Sequence, residues 1–405
     1  MRMQLLDVCE LIIDCEHKTA PTQITGYPSI RTPNIGRGRF ILDGVNRVSE
    51  DTYRLWTKRA VPQPGDLVMA REAPVGNVAM VPDGLRPCLG QRTLLIRPDR
   101  TKVDPSFLNY FLNGPHVQGL IHAKTNGATV AHLNMKDVRT MDLPTLPPLP
   151  AQQRIAGILS AYDELIENSQ RRIKILEAMA RALYREWFVH FRFPGHESVP
   201  RVPSPLGEIP QGWEVRPFTE IADVLSGGTP KTDIAEYWNG EIPFFTPRDA
   251  PDCFYVQDAD KHVTELGLSK CASALYSPDT VFITARGTVG KVALPSVPMA
   301  MNQSCYALRG KAGVTQRYLF LLTLQQVDYL KTNTGGATFD TIVVDTFRRM
   351  QIVIPPRAVI AHFTETVDSM FEAVNTLQRQ IQNLRRTRDL LLPRLLSGQI
   401  ALQEH

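Results

Sequence analysis

The sequence predicts a mixed α/β (α+β) protein: two similar domains separated by a two-helix antiparallel coiled coil. Three observations predict it. An internal repeat of about 210 residues divides the 405-residue chain into two halves. Each half opens with short β-branched runs broken by Gly and Pro. Each half closes on one long amphipathic stretch entered over prolines.

Five matches, in order, carry the repeat. "IRTPN" at Ile30 matches "FFTPR" at Phe244, and "REAPVGNVAM" at Arg71 matches "RGTVGKVAL" at Arg286. "LGQRTLLIRP" at Leu89 matches "MNQSCYALRG" at Met301, and "NGATVAHL" at Asn126 matches "GGATFDTI" at Gly335. "LPPL" at Leu146 matches "IPPR" at Ile354. The offset drifts from 214–215 to 208, as loop deletions produce. The period is too long for a solenoid and marks a duplicated half-molecule.

Residues 1–147 and 213–355 form the globular parts. "GDLVMA", "TLLIRP", "DTVFITA" and "RMQIVIP" read as strands bounded by turn residues. "PSFLNYFLNG" and "QRYLFLLTLQQVDYL" read as helices that interrupt them. Each part is expected to hold a twisted, partly open sheet.

Residues 148–190 and 356–398 form the long helices. In the second, Ile360, Phe363, Val367, Met370, Val374, Leu377, Ile381 and Leu384 alternate spacings of 3 and 4. In the first, Ile155, Leu159, Tyr162, Ile166, Ile173, Leu176, Leu183 and Trp187 do the same, with Ser169 as a polar break. A sustained 3.5-residue period indicates a coiled coil; two helices packed on separate sheets is the alternative. Pro148, Pro150 and Pro356 set sharp starts, because proline is tolerated in a first turn and disfavours helix before it. The proline-rich linker at 191–212 cannot easily retrace a helix of about 55–60 Å, at 1.5 Å per residue. The second globular part must therefore lie near the far end of the first helix, and its own helix must run back. The helices act as a spacer. Tyr184 and Phe188, on the side away from this seam, are expected to serve a partner; covering the linker is the alternative.

Composition excludes several classes. No stretch approaches the roughly 20 apolar residues of a membrane span, and the acidic N-terminal stretch lacks a signal-peptide cleavage site. Six cysteines without C-x-x-C argue against a zinc ribbon or disulfide framework, so a cytoplasmic protein is expected. Net charge is +4, from 45 basic and 41 acidic residues. Residues 1–150 carry 18 basic and 14 acidic side chains, and residues 201–355 carry 14 and 16. Bulk attraction to nucleic acid is weak, so cationic contacts must be local or shared.

No Walker motif is present, and "LPPL" and "IPPR" lack the flanks of an amino-methyltransferase motif. Asp7, Glu16 and Lys18 mimic the spacing of a metal-dependent nuclease, which is kept as an alternative. What remains is recognition chemistry. Arg71 and Arg286 precede matching "VG" loops, and Arg suits bidentate contact with guanine or phosphate. Gln91 with Arg92, and Asn302 with Gln303, form matching polar pairs; Asn and Gln suit adenine. Thr129 and Thr338 follow glycines in matching loops, with His132 just beyond the first. "CEHKTAPT" and "SGGTPKT" place His17, Lys18 and Lys231 on one equivalent loop. Arg31, Asn34 and Arg248 follow matching strands.

On these stretches the chain resembles the specificity subunit of type I restriction-modification systems over nearly its whole length. "LPPLPAQQRIAGILSAYDELIE" with "REWFVHFRFPGHE" is similar to the family's first conserved helical region. "GEIPQGWEV" and "SGGTPKTDIAEYWNGEIPFFTPRD" are similar to the entry of its second target recognition domain. "DCEHKTAP", "REAPVGNVA" and "LGQRTLL" are similar to one class of first domain. The resemblance implies a non-catalytic subunit in which each recognition domain reads one half of a bipartite, asymmetric site in double-stranded DNA. The helices would set the gap and dock two modification subunits, which methylate adenine N6. Restriction subunits would add translocation and cleavage. No cofactor is expected in this chain; S-adenosylmethionine, ATP and Mg are expected on the partners.

Overall fold

A computed structural model describes residues 3–16, 18–125, 132–333 and 341–400. The chain forms two compact units, Met1–Leu165 with Leu384–His405, and Ile166–Asn383. Each unit therefore contains one end of both long helices.

In the first unit the strands are β1 (Cys9–Asp14), β2 (Tyr27–Ile30), β3 (Arg47–Val48), β4 (Leu67–Ala70), β5 (Val78–Met80), β6 (Cys88–Leu89) and β7 (Thr93–Pro98). The larger sheet has the order β1-β7-β4-β5, antiparallel throughout. The smaller has the order β3-β2-β6, with β2 and β6 parallel. The helices are α1 (Glu50–Trp56), α2 (Pro105–Asn113), α3 (Pro115–Ala123), α4 (Met135–Arg139) and α5 (Leu149–Tyr184). Leu67, Met69, Leu94 and Ile96 pack on Phe107, Leu108, Phe111 and Ile121 from α2 and α3. On the other face Val68, Ala70 and Leu95 pack on Ile30 and Leu89 of the smaller sheet. The middle layer is covered on both sides, which is why "LVMA" is an apolar run without alternation. Asp104 starts α2: its carboxylate accepts the Phe107 N–H at 2.9 Å, and Pro105 follows.

The second unit repeats this order. It contains β8 (Arg201–Ser204), β9 (Gly207–Pro210), β10 (Glu214–Pro217), α6 (Phe218–Ile221), β11 (Ala222–Ser226), β12 (Trp238–Phe245), β13 (Tyr255–Val256) and β14 (His262–Val263). Then come α7 (Glu265–Ser269), β15 (Val281–Thr284), β16 (Val292–Pro295), β17 (Ala300–Met301), β18 (Cys305–Gly310), α8 (Gln316–Asn333), α9 (Val344–Arg349), β19 (Gln351–Ile354) and α10 (Arg357–Leu396). The sheet β11-β18-β15-β16 corresponds to β1-β7-β4-β5, with β13 added at its edge. The sheet β14-β12-β17 corresponds to β3-β2-β6, again with one parallel pair. The linker folds β8 and β9 into a hairpin.

Backbone hydrogen bonds give the register of the repeat. Gly90 N–H donates to Ile30 O at 2.8 Å, and Asn302 N–H to Phe245 O at 3.0 Å. Arg71 N–H donates to Arg92 O at 2.9 Å, and Ala285 N–H to Ser304 O at 2.7 Å. Leu133 N–H donates to Arg71 O at 3.0 Å, and Ile342 N–H to Ala285 O at 2.9 Å. The counterpart of Arg71 is thus Ala285, and that of Arg286 is Glu72. The sequence match paired the two arginines and was one residue out. The same correction applies to Asn34, whose counterpart is Asp249 rather than Arg248. Asn34 Oδ1 accepts the Arg31 N–H at 3.0 Å, and Asp249 Oδ2 accepts the Thr246 N–H at 2.8 Å.

The long helices pair antiparallel in both units. In the first, Ile155 and Leu159 near the start of α5 share a core with Leu395 near the end of α10. Arg388 Nη1–H donates to Asp163 at 2.5 Å, and the Tyr110 hydroxyl donates to the same carboxylate at 2.6 Å. In the second, Trp187 beyond the end of α5 packs edge-on to Phe363 near the start of α10, with centroids 5.4 Å apart. The seam of α5 differs from the sequence pattern past Ile173. Glu177, Ala180 and Tyr184 are buried instead of Leu176 and Leu183. A straight helix drifts about 20° per heptad against a 3.5 repeat, so extrapolation from Ile155 misses by one residue after several turns.

That drift corrects the expectation for Tyr184 and Phe188. Both are buried, Tyr184 to 4% exposure and Phe188 to 6%. They form an aromatic cluster with Trp187, Tyr318 and Phe363. A π-helical turn at Arg185–Val189 widens the helix and turns both Trp187 and Phe188 inward. Neither can serve a partner.

Candidate nucleic-acid interface

In each unit, loops from five strand ends meet at one end of the sheets. The antiparallel order brings the ends of β1 and β4 beside the start of β7. Cys15 N–H bonds Thr93 O at 3.3 Å, and Cys15 Sγ lies 2.6 Å from Gly90 O, which ties the smaller sheet to the same end. The second unit repeats the tie through Gly227, whose N–H bonds Cys305 O at 3.4 Å. A Cβ on Gly227 would stand 2.0 Å from Asn302 O, so only glycine fits there.

The first unit builds a charged chain at this end. Arg71 is buried. Its Nη1–H donates to Asp14 Oδ2 at 2.6 Å, and its Nε–H to Leu133 O at 2.9 Å. Its Nη2 lies 2.9 Å from His132 Nε2, and His132 Nδ1 lies 3.3 Å from Glu72 Oε1. Glu72 in turn pairs with Arg92. Partial burial and the guanidiniums of Arg71 and Arg92 hold the His132 pKa below its ordinary value. A neutral imidazole with its proton on Nδ1 satisfies both contacts: it accepts from Arg71 and donates to Glu72. Arg92 is half exposed with φ 64°, a left-handed conformation costing roughly 1–2 kcal/mol for a non-glycine residue. Gln91, beside it, is half-buried.

The second unit presents a different set. The Thr229 hydroxyl donates to Gln303 Oε1, and Asn302 Oδ1 accepts the Ser304 N–H at 3.0 Å. Lys231, Arg248 and Arg286 are exposed, as are Lys18 and Arg31 in the first unit. Asn34 is half-buried and occupied in its turn, its amide also donating to Ile41 O at 3.2 Å. His17, Thr129 and Thr338 lie outside the described residues. Asp14, Glu72, Thr229 and Asp249 are members of these loops that sequence reasoning passed over. The signal for Glu72 was the "RE" dipeptide at Arg71, read for its arginine alone.

The glycine of each "VG" pair has a local role. Gly76 has φ 83° and Gly290 φ 77°. A Cβ would stand 2.7 Å from Ile121 on α3 and 2.8 Å from Val327 on α8 respectively. These glycines let the loop turn tightly against its own helix.

The nuclease alternative fails on geometry. Asp7 and Glu16 lie beyond opposite ends of the six-residue β1, which alone spans about 17 Å at roughly 3.3 Å per residue. Asp7 accepts the Gln4 N–H at 2.7 Å, and Glu16 pairs with Arg59 at 3.7 Å. Among the described residues no group of three or more His, Cys, Asp or Glu is placed to hold a metal.

Residues 1–178 and 210–383 match the type I restriction modification DNA specificity domain. The chain belongs to this family. It is 25% identical over 371 residues to the type I restriction enzyme MjaIX specificity subunit of Methanocaldococcus jannaschii, covering 90% of this chain and 84% of that one. It is 24% identical over 369 residues to the HindI specificity subunit of Haemophilus influenzae, covering 76% of this chain and 80% of that one. A crystal structure of the type I S subunit from M. genitalium has the same fold, with TM-score 0.62 and 16% identity over 98% of this chain and 96% of that one. This chain is a specificity subunit, the non-catalytic member of its complex. Among the described residues no helix is long and apolar enough to cross a membrane.

Proposed function

We propose that each unit of this specificity subunit reads one half of a bipartite, asymmetric site in double-stranded DNA. The observation that carries the reading is one backbone frame presenting two different sets of side chains. Matching hydrogen bonds hold the loops in both units, yet the first offers Arg31, Gln91 and Arg92 and the second Arg248, Arg286 and Gln303. The same frame with different chemistry suits two different half-sequences.

The paired helices set the gap and dock two modification subunits, which carry S-adenosylmethionine and methylate adenine N6. Restriction subunits add ATP- and Mg-dependent translocation and cleavage. The assembly works in the cytoplasm. The docking face on α5 includes Ile175 and Met179, one turn apart and about half exposed.

Transplanting residues 213–355 from a family member of different specificity tests the reading. The methylated motif should change in one half and keep its gap. A change in both halves, or in neither, overturns it.

A further inference from the structure

The counterparts of the charged chain in the first unit are all different in the second. The shared backbone frame equates Asp14 with Ser226, Arg71 with Ala285, Glu72 with Arg286, Arg92 with Ser304 and His132 with Thr341. Not one charge is kept in place. An exposed arginine, with no ion pair among the described residues, stands in the second unit where the first holds a glutamate.

We propose that Arg92 is the arginine through which the first unit discriminates bases, and that Glu72 is its positioning residue; this rests on the half-site reading above. Arg71 is excluded as a reader because its guanidinium is committed to Asp14, Leu133 O and His132 and is buried. Arg92 is the end of the chain that reaches solvent, with its side chain 52% exposed. Two restraints fix it. Its carbonyl oxygen accepts the Arg71 N–H, which holds the left-handed backbone. Its guanidinium pairs with Glu72, which is only 16% exposed and is itself held from inside by His132.

A long side chain aimed at a base must lose rotamer freedom on binding. Holding it beforehand reduces that cost and narrows the geometry it accepts. Glu72 leaves Arg92 donors free, because a guanidinium carries five and one carboxylate uses at most two. In the second unit Arg286 stands at the backbone position of Glu72, exposed and with no ion pair among the described residues. The two units therefore present an exposed arginine from different positions of one backbone frame, which suits guanine or phosphate at different places in each half-site.

The test uses the full chain assembled with its modification subunit, reading the methylated motif and binding to duplexes with and without the site. Arg92→Ala should lower the preference for the correct base at one position of one half by roughly 5- to 150-fold, the range of a good arginine contact. Glu72→Ala should relax the same position while binding to non-specific duplex holds or rises, since a negative charge beside Arg92 is removed. Glu72→Gln, which keeps one acceptor, should fall between. Arg286→Ala serves as the control and should affect the other half only. An unchanged motif for Arg92→Ala with an altered one for Arg286→Ala overturns the assignment and leaves the half-site reading standing. If Glu72→Ala lowers the melting temperature but leaves the motif intact, Glu72 is structural and its positioning role is wrong. A switch to a new base in Glu72→Gln would make Glu72 a direct reader and overturn it equally.

Discussion

At the residue scale, exposure separates the two arginines that the sequence treats alike. Arg71 and Arg286 stand before the same "VG" pair, but one is an internal strut and the other a surface cation. Arg71→Ala leaves the largely buried Asp14 carboxylate without its guanidinium. Breaking one partner of a buried pair costs several kcal/mol, about 3 here because Asp14 keeps some solvent contact. The melting temperature should fall by roughly 6–12 °C, at about 2–4 °C per kcal/mol for a unit of this size. Thermal unfolding followed by circular dichroism measures it. A change below 2 °C would return Arg71 to the list of surface contacts.

At the element scale, α5 meets the segment that leads into β13 through a buried acid. The Phe254 N–H donates to Glu177 Oε1 at 2.6 Å, and Arg181 stacks over the Phe254 ring with its guanidinium 5.2 Å from the centroid. Burial outweighs both favourable contacts and pushes the Glu177 carboxyl up to about 7. The folded pKa lies above the unfolded one, so protonation favours the fold. The contribution is full below the ordinary carboxylate range and is lost as pH rises through about 7. The difference corresponds to about 3 kcal/mol at one pH unit per 1.36 kcal/mol. Glu177→Gln keeps the acceptor for Phe254 without a charge. Its melting temperature should fall less between pH 5 and pH 8 than that of the natural chain. Parallel pH profiles for the two would refute the assignment.

The same helix carries the docking prediction. Ile175→Asp places a charge on an exposed apolar patch and costs the fold little. Co-purification with the modification subunit should drop while the circular dichroism spectrum is retained. Phe188→Asp, by contrast, should destabilise the chain itself, because it buries a charge among Trp187, Tyr318 and Phe363. Full assembly of the Ile175→Asp chain would remove this face from the interface.

At the scale of the whole molecule, α5 and α10 are shared by both units, and the first holds Asp163 with Arg388 while the second holds Tyr184 with Phe363. If the helices set the gap between half-sites, their length controls it. A heptad inserted in both, after Ser169 and after Leu377, keeps the apolar stripes in register. It adds about 10 Å at 1.5 Å per residue, or roughly three base pairs at about 3.4 Å each. The methylated motif should gain a longer gap with unchanged bases, at reduced affinity because the readers also rotate about the duplex. An unchanged gap would show that the helices do not measure it.

Periodicity and order are properties of the chain itself. Duplication, the prolines before each long helix and the apolar runs of β4 and β15 were all legible because each is a local pattern with one physical reading. The family resemblance was legible for the same reason, in contiguous stretches. Register within the repeat was not, because a one-residue loop difference leaves "R…VG" looking aligned in both halves. Only the bond from Arg71 N–H to Arg92 O, and its twin from Ala285 to Ser304, placed Glu72 opposite Arg286. The orientation of Tyr184 escaped too, since a 3.5-residue template accumulates error along 36 helical residues. The sequence determined by itself that this is a two-reader, two-helix specificity subunit. Which arginine is buried, which is held by Glu72 and which faces solvent was decided only in the tertiary structure, because Asp14, Arg71, Glu72, Arg92 and His132 are brought into contact by strand pairing and not by spacing along the chain.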